Sequence, residues 1–223
     1  MAIWGDASAW GDFFPDDLIA DVLDLLLRCW DKFPKPLSAD HENSITGRYR
    51  EVLCRDKNCR KLPFSIWPES SETDPNTGAE LGRIDLRFLH GHREDVYLAF
   101  ECKRLRIPRE KGLTPNTAEY VGENGIMRHI TGKYSQGLDK AGMIAYVMDG
   151  DSPKARNAVA RLIGRKREEL RLEPGSGLSS SAHCPDDARV AQTIHDLNET
   201  PLTMHHVFLD VPCASRVRQG DPR

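Results

Sequence analysis

Two acidic residues and a lysine stand at the spacing that a metal-dependent hydrolase would use. Asp85 lies in one run of alternating residues, and Glu101 and Lys103 lie two residues apart near the end of a second. Two carboxylates held close together repel each other unless a cation lies between them. Hard divalent cations such as Mg²⁺ take oxygen ligands. The residues therefore predict a magnesium site, which Mn²⁺ could also occupy, with Asp85, Glu101 and the backbone carbonyl of Cys102 as ligands.

Such a site would cleave a phosphoester bond. A bound divalent metal polarises a phosphoryl oxygen and lowers the pKa of a bound water, and Lys103 would orient or deprotonate that water or offset developing charge. Glu42 offers a further carboxylate. It lies three residues before Ile45 on the apolar face of a helix with Ser38 as N-cap, so its carboxylate points inward and needs a partner. Alternatively, Glu42 is a first-turn acid that accepts hydrogen bonds from its own helix.

Two neighbouring segments of alternating character predict the strands that carry these residues. In "GRIDLRFLH" apolar residues alternate with Asp85 and Arg87, and in "VYLAFECKRL" one face includes Glu101 and Lys103. The intervening "GHRED" indicates a turn, so the two strands form an antiparallel hairpin. A hairpin centred near residues 91–93 places Asp85 opposite residues 97–101, within reach of Glu101.

The remaining segments predict an α/β domain with a mixed central β-sheet flanked by helices. Helical periodicity indicates helices over residues 16–33, 37–53, 117–138 and 152–170, the last with Ser152 as N-cap. Short apolar runs indicate strands over residues 63–67, 142–148 and 203–211. We expect an N-terminal arm and helix in residues 1–37, one domain over residues 38–212 and a flexible tail over residues 213–223.

The pattern "GRID", 15 residues, "ECK" resembles the PD-(D/E)XK nuclease superfamily. The family places an acid on one strand, acid–any–lysine on the next strand, and a further acid on the preceding helix. Asp85, Glu101, Lys103 and Glu42 stand at the matching positions, and Ile84 replaces the proline of the family pattern. The resemblance covers residues 38–147 and implies a restriction-endonuclease-like core and a Mg²⁺-dependent endonuclease activity, with DNA as the expected substrate.

The same resemblance suggests a setting and two supporting residues. Many members carry a Gln or Tyr on the helix after the lysine, and "GKYSQG" offers Tyr134 and Gln136 behind the metal ligands. A small nuclease of this kind is similar to the effector of a bacterial anti-phage defence or restriction system, partnered by an ATPase, a sensor subunit or a second copy. The alternatives are a non-catalytic subunit that binds nucleic acid or a partner, and a hydrolase of another phosphoester.

Nucleic acid would have to be bound by local basic patches, because the net charge of −3 gives no overall attraction to a polyanion. The segment "KRLRIPREK" offers Arg104, Arg106, Arg109 and Lys111 for phosphate contacts beside the metal. The basic stretch over residues 154–171 is a second candidate. Either segment could equally be a solvated surface.

Other features carry weaker expectations. No apolar run is long enough to cross a bilayer, no basic segment opens the chain, and the cysteines are scattered, which favours a reduced, cytoplasmic setting. Cys54 and Cys59 are expected to be ordinary thiols rather than zinc ligands. The histidines of "SAHC" and "HH" suggest a metal, but structural roles are favoured. The aromatic N-terminal segment either packs on its own core or docks on a partner; it comprises Trp4, Trp10, Phe13 and Phe14.

Overall fold

The computed structural model describes residues 13–67, 70–73, 77–78, 80–91, 95–134, 137–197 and 200–212. The helices of these residues are α1 (Asp17–Lys32), α2 (Glu42–Arg55), α3 (Thr117–Val121), α4 (Ile126–Ile130) and α5 (Ser152–Arg165). A 3₁₀ turn over Cys59–Lys61 follows α2. No helix of the described residues is both long and apolar enough to cross a membrane.

Strands alternate with these helices along the chain. They are β1 (Phe64–Trp67), β2 (Ser70–Thr73), β3 (Glu80–Ile84), β4 (Leu86–His90), β5 (Tyr97–Leu105), β6 (Ile107–Arg109), β7 (Gly112–Thr114), β8 (Lys140–Val147), β9 (Ser179–Ser180), β10 (Val190–Asp196) and β11 (Pro201–Asp210). Seven of them form one sheet in the order β1-β4-β5-β8-β11-β10-β9. The pairs β2–β3 and β6–β7 form separate antiparallel ribbons.

The sheet is mixed, with a parallel centre and antiparallel edges. β8 runs parallel to β5 on one side and to β11 on the other, and the outer pairs are antiparallel. All eight residues of β8 are buried, as expected for a parallel strand covered on both faces. Gly142 of β8 is needed for close packing, because a Cβ there would lie 2.2 Å from the ring of Phe100.

Helices cover both faces of the sheet and create two hydrophobic cores. α1 and α2 pack on one face through a core with Trp30, Tyr49, Phe100 and Tyr146 among its members. α3, α4 and α5 pack on the other face, around Tyr120, Met143, Val159 and Phe208. The predicted α/β domain with a mixed sheet flanked by helices is therefore confirmed.

Several predicted elements match the structure closely. The helix predicted over residues 16–33 is α1, and the predicted strands over residues 63–67, 142–148 and 203–211 correspond to β1, β8 and β11. The strand predicted as "GRIDLRFLH" is interrupted: β3 pairs with β2 up to Ile84, and β4 begins at Leu86 and pairs with β5. Asp85 occupies the interruption between the two strands.

The starts of two helices differ from the prediction. α2 begins at Glu42 rather than after Ser38, because the Asp40 carboxylate accepts the Leu37 N–H at 3.0 Å and holds the preceding residues in a turn. The N-cap of α5 is Asp151, whose carboxylate accepts the Lys154 N–H at 3.1 Å. Ser152, predicted as that cap, instead donates its hydroxyl to Asp210.

Three further elements differ from the prediction in detail. The Gly-interrupted helical stretch predicted over residues 117–138 contains two short helices, because the chain folds back so tightly at Gly125 that a Cβ there would lie 2.0 Å from the Tyr120 carbonyl oxygen. The helix expected over residues 152–170 ends at Arg165. β10 was not predicted at all, since buried polar residues, Thr193 and His195, break its apolar pattern.

Candidate active site

The register of the β4–β5 hairpin brings Asp85 next to Glu101. Leu86 pairs with Phe100, so continuing the register by one residue sets Asp85 opposite Glu101. The main chain fixes the carboxylate: the N–H of Cys102 donates to Asp85 Oδ2 at 2.7 Å. Within the described residues this is the one hydrogen bond that the Asp85 side chain receives.

Glu101 and Lys103 share one face of β5 because residues two apart on a strand point the same way. Phe100 precedes Glu101, and Cys102 lies between Glu101 and Lys103. Both side chains point to the opposite face of the sheet and enter the core under α1 and α2. Glu101 is 1% exposed and Lys103 is 7% exposed. A buried carboxylate and a buried ammonium are tolerated here because they pair: Lys103 Nζ lies 2.6 Å from Glu101 Oε1.

Lys103 is also held by two further acceptors. Its Nζ donates to the Cys102 carbonyl oxygen at 3.0 Å and to Glu42 Oε1 at 3.1 Å. Glu42 is the first residue of α2, and its other oxygen, Oε2, accepts the Arg104 N–H at 2.8 Å. Glu42 therefore binds β5 rather than donors of its own helix. The structure brings together all four residues expected to be catalytic.

Arg128 is a member of the site that sequence reasoning missed. Its Nη1 lies 3.1 Å from both carboxylate oxygens of Glu101 and 2.5 Å from the hydroxyl of Tyr134. The Tyr134 hydroxyl in turn donates to the carbonyl of Arg83. Tyr134, expected behind the metal ligands, thus reaches Glu101 through Arg128, while Gln136 lies outside the described residues.

The electrostatics of the site depend on burial and on the proximity of the acids. Burial raises the pKa of Asp85 to about 7, and the charge of Glu101 adds to the rise, although the Cys102 N–H and Lys103 oppose it. Burial also raises the pKa of Glu101 against the opposing effect of Lys103. Burial lowers the pKa of Lys103, but Glu101 and Glu42 outweigh it and leave the pKa above its usual value. Lys103 is therefore an ammonium at neutral pH.

The donor set suits a hard divalent cation. Asp85 and Glu101 supply carboxylate oxygens, and the Cys102 carbonyl points to the same place, since Lys103 binds it together with Glu101. Burial and the charge of Glu101 keep the pKa of Asp85 raised even though Lys103 opposes the rise, so a cation bound beside the two carboxylates would favour their ionised forms. A cavity of about 100 Å³ adjoins Asp85 and is lined by residues of α2, namely Asn43, Thr46, Gly47 and Arg50.

Across the described residues, no three or more His, Cys, Asp and Glu side chains are grouped to hold a metal ion. At this site the carboxylate pair and a main-chain oxygen would share that task, and Glu101 would exchange contacts with Lys103 or Arg128 for contacts with the cation. The oxygen ligands are therefore of the type that a divalent cation needs, and Lys103 or Arg128 would have to move for the cation to bind.

The four basic residues proposed for phosphate contacts divide into two pairs. Arg104 donates to the Asp40 carbonyl at 2.6 Å, and Arg106 forms an ion pair with Asp149 at 2.6 Å, so both guanidinium groups are engaged by the protein. Arg109 and Lys111 are exposed on the β6–β7 ribbon, which directly follows β5. Arg109 Nε donates to Thr114 Oγ1 at 3.3 Å, and among the described residues neither Arg109 nor Lys111 forms an ion pair.

Other candidate features have structural partners. His206 is hydrogen-bonded to Tyr120 at 3.0 Å and to Thr193 at 2.9 Å, which fits the structural role favoured for it. On the basic helix α5, Lys154 pairs with Asp151. Phe14 is buried in the core beside α1, whereas Phe13 is 40% exposed. The other aromatic residues of the N-terminal segment, Trp4 and Trp10, lie outside the described residues.

Comparison of the chain with protein-family models, with curated proteins and with solved structures found no match. Function must therefore be argued from the geometry of the site itself.

Proposed function

We propose that this protein is a metal-dependent nuclease of the PD-(D/E)XK type, with a restriction-endonuclease-like core, that hydrolyses phosphodiester bonds in DNA. The observation that carries the proposal is the meeting of Glu42 at the start of α2, Asp85 just before β4, and Glu101 and Lys103 in β5. Glu42 and Asp85 are distant in sequence from the Glu101–Lys103 pair and come from different elements. A solvated salt bridge on a strand face would not bury Glu101 and Lys103 this deeply.

Each residue has a role that its contacts support. Asp85, Glu101 and the Cys102 carbonyl would hold Mg²⁺ or Mn²⁺, which supplies a Lewis acid and a water of lowered pKa when bound. Lys103, as an ammonium, positions the attacking water and offsets the negative charge that develops on the phosphoryl oxygens. Glu42 fixes the Lys103 side chain by accepting its hydrogen bond.

DNA would reach the site over the β6–β7 ribbon. Arg109 and Lys111 are exposed there and follow directly from the strand that carries Glu101 and Lys103. If each contacts one phosphate, Arg109→Ala and Lys111→Ala will each reduce the slope of log affinity against log salt concentration by about 0.9. The proposed setting, an anti-phage or restriction effector acting with an ATPase, a sensor subunit or a second copy, rests on analogy.

The test is cleavage of plasmid DNA with Mg²⁺ or Mn²⁺, by the protein alone and with the products of neighbouring genes. We expect wild type to cut, and Asp85→Asn, Glu101→Gln and Lys103→Met each to lower the rate at least 100-fold. Lys57→Met is the matched control. It removes an exposed lysine that follows α2 and has no role in the proposed site, so this variant should cut like wild type. Equal cutting by the site variants would overturn the assignment of the site.

A second function, binding without cleavage, is favoured by one specific observation. Both oxygens of Glu101 are occupied by Lys103 and Arg128, so the acids already have cationic partners inside the protein. A subunit that only binds DNA or a partner protein needs no metal at these acids. It would bind plasmid DNA with the salt dependence given above, and no divalent metal and no neighbouring gene product would produce nicked or linear DNA.

A further inference from the structure

A polar cavity lies on the α1 face of the sheet, away from the candidate active site. It encloses about 330 Å³ at the start of β8 and β11, and its lining includes Asp139, Lys140, His183 and His205. Lys140 begins β8, whereas the β8 residue paired with Lys103 is Ala145. Five residues of strand separate the two places by about 16 Å.

Two groups of this cavity lack the hydrogen bonds that buried polar atoms normally make. His205 is fully buried, and neither of its ring nitrogens has a partner among the described residues. Asp139 Oδ1 is buried without a partner as well. Among the described residues, no hydrogen bond is made to the half-buried ring of His183. Leaving a buried polar group unpaired costs about 1–3 kcal/mol. Buried groups without partners are expected at sites where a bound water or ion normally supplies the hydrogen bond or the coordination.

The distance between the two imidazole rings matches that between two ligands of one metal ion. Their centroids are 5.5 Å apart and their planes are inclined by 70°. Two imidazoles on one tetrahedral zinc ion, with Zn–N bonds of about 2.0–2.1 Å, have ring centres roughly 5 Å apart. The loop that carries His183 is already fixed, since Ser181 Oγ accepts the His183 N–H and Gln192 Oε1 accepts the Ala182 N–H.

The charges around the rings also favour a cation. Lys140 is paired with two carboxylates, Asp16 at 3.1 Å and Asp139, so the three groups together carry one negative charge. Burial, with smaller contributions from His183 and Lys140, lowers the pKa of His205 to about 3. The ring of His205 is therefore neutral at neutral pH, with a lone pair available to a metal.

We propose that His183 and His205 bind one divalent transition-metal ion, of the class of Zn²⁺, separate from the proposed nuclease site. Neutral imidazole is a ligand for Zn²⁺, whereas Mg²⁺ prefers oxygen, so the two sites differ in the metal that they take. The two rings supply two ligands. Water in the cavity fills the remaining positions, and Asp139 Oδ1 accepts a hydrogen bond from that water.

The proposal is tested by titrating the full chain with Zn²⁺ in a calorimeter, with Co²⁺ as a spectroscopic probe. Wild type should bind one equivalent with a Co²⁺ absorption band typical of nitrogen ligation. His183→Ala should weaken binding at least tenfold, and this variant changes only a half-buried loop residue. His205→Phe should abolish binding and keep the fold, because it preserves a ring and removes two unpaired nitrogens.

Matched controls separate this site from the other histidines and from the nuclease site. His90→Ala and Asp85→Asn should both bind Zn²⁺ like wild type, and Asp85→Asn should still fail to cut DNA. Absence of Zn²⁺ binding by wild type would overturn the proposal. So would binding that both His183→Ala and His205→Phe leave unchanged.

Discussion

Asp85→Asn is predicted to stabilise the protein while removing its proposed activity. Asparagine has the same shape as aspartate and keeps an oxygen that accepts the Cys102 N–H, which lies 2.7 Å from Asp85 Oδ2. The substitution removes the negative charge that burial and Glu101 disfavour. In the absence of divalent metal, the variant should therefore be more stable than wild type wherever Asp85 of the unfolded chain is ionised.

The size of the effect follows from the pKa of Asp85 in the two states. Folding raises this pKa from 3.8 to about 7, so the folded protein retains a proton that the unfolded chain loses. The stability of wild type accordingly falls as the pH rises from about 4 to about 7, and the loss is constant above that. Each pKa unit corresponds to about 1.4 kcal/mol, which sets an upper limit of about 4 kcal/mol. Because Asp85 keeps some contact with solvent, we expect about 2 kcal/mol at pH 8 and less than about 1 kcal/mol at pH 5.

Urea denaturation of wild type and Asp85→Asn in a chelating buffer, at pH 5 and at pH 8, measures the difference directly. Other titrating groups contribute equally to both proteins and cancel, apart from Glu101, whose pKa the substitution should lower. Adding Mg²⁺ at pH 8 should stabilise wild type and leave the variant unchanged, because only wild type retains the charged ligand. A stability difference that is the same at both pH values, or that favours wild type at pH 8, would refute this account of the site.

Two other substitutions test how the site is held. Lys103→Met leaves the buried Glu101 carboxylate with one cationic partner fewer, and should lower the free energy of unfolding by about 3 kcal/mol in urea, against a change below about 0.5 kcal/mol for Lys57→Met. Gly142→Ala places a Cβ 2.2 Å from the ring of Phe100 and should cost about 2 kcal/mol or more by thermal unfolding. An alanine variant as stable as wild type would show that β8 and β5 are not packed this closely.

The hairpin and the proximity of its charged residues could be predicted from sequence because both depend on short-range rules. Alternation along β5 separates Glu101 and Lys103 from the apolar face, and turn pairing limits the partner of Asp85 to a few residues. The predicted range, residues 97–101, includes the observed neighbour, Glu101. The break at Asp85 was not predictable in the same way, since it arises where the chain leaves the β2–β3 ribbon and joins the main sheet.

Arg128 and the cavity histidines could not be predicted because their partners are set by the tertiary fold. Arg128 lies in the five-residue helix α4, which follows the tight chain reversal at Gly125, and nothing in "GIMRHI" specifies Glu101 as its partner. The contact of His183 with His205 joins a loop to β11, and β11 pairs with β10. Because the sequence left β10 unrecognised, the position of that loop was unknown as well.

The position of Glu42 beside Lys103 was predicted for an incomplete reason. Sequence periodicity placed it on the inward face of a helix starting after Ser38, whereas α2 starts at Glu42 itself. A residue inside a helix projects sideways from the helix axis, but the first residue sits at the end of the helix, close to β5. From there one carboxylate reaches both Lys103 Nζ and the Arg104 N–H. The turn held by Asp40 therefore shapes the candidate site, because it sets where α2 begins and so which acid contacts Lys103.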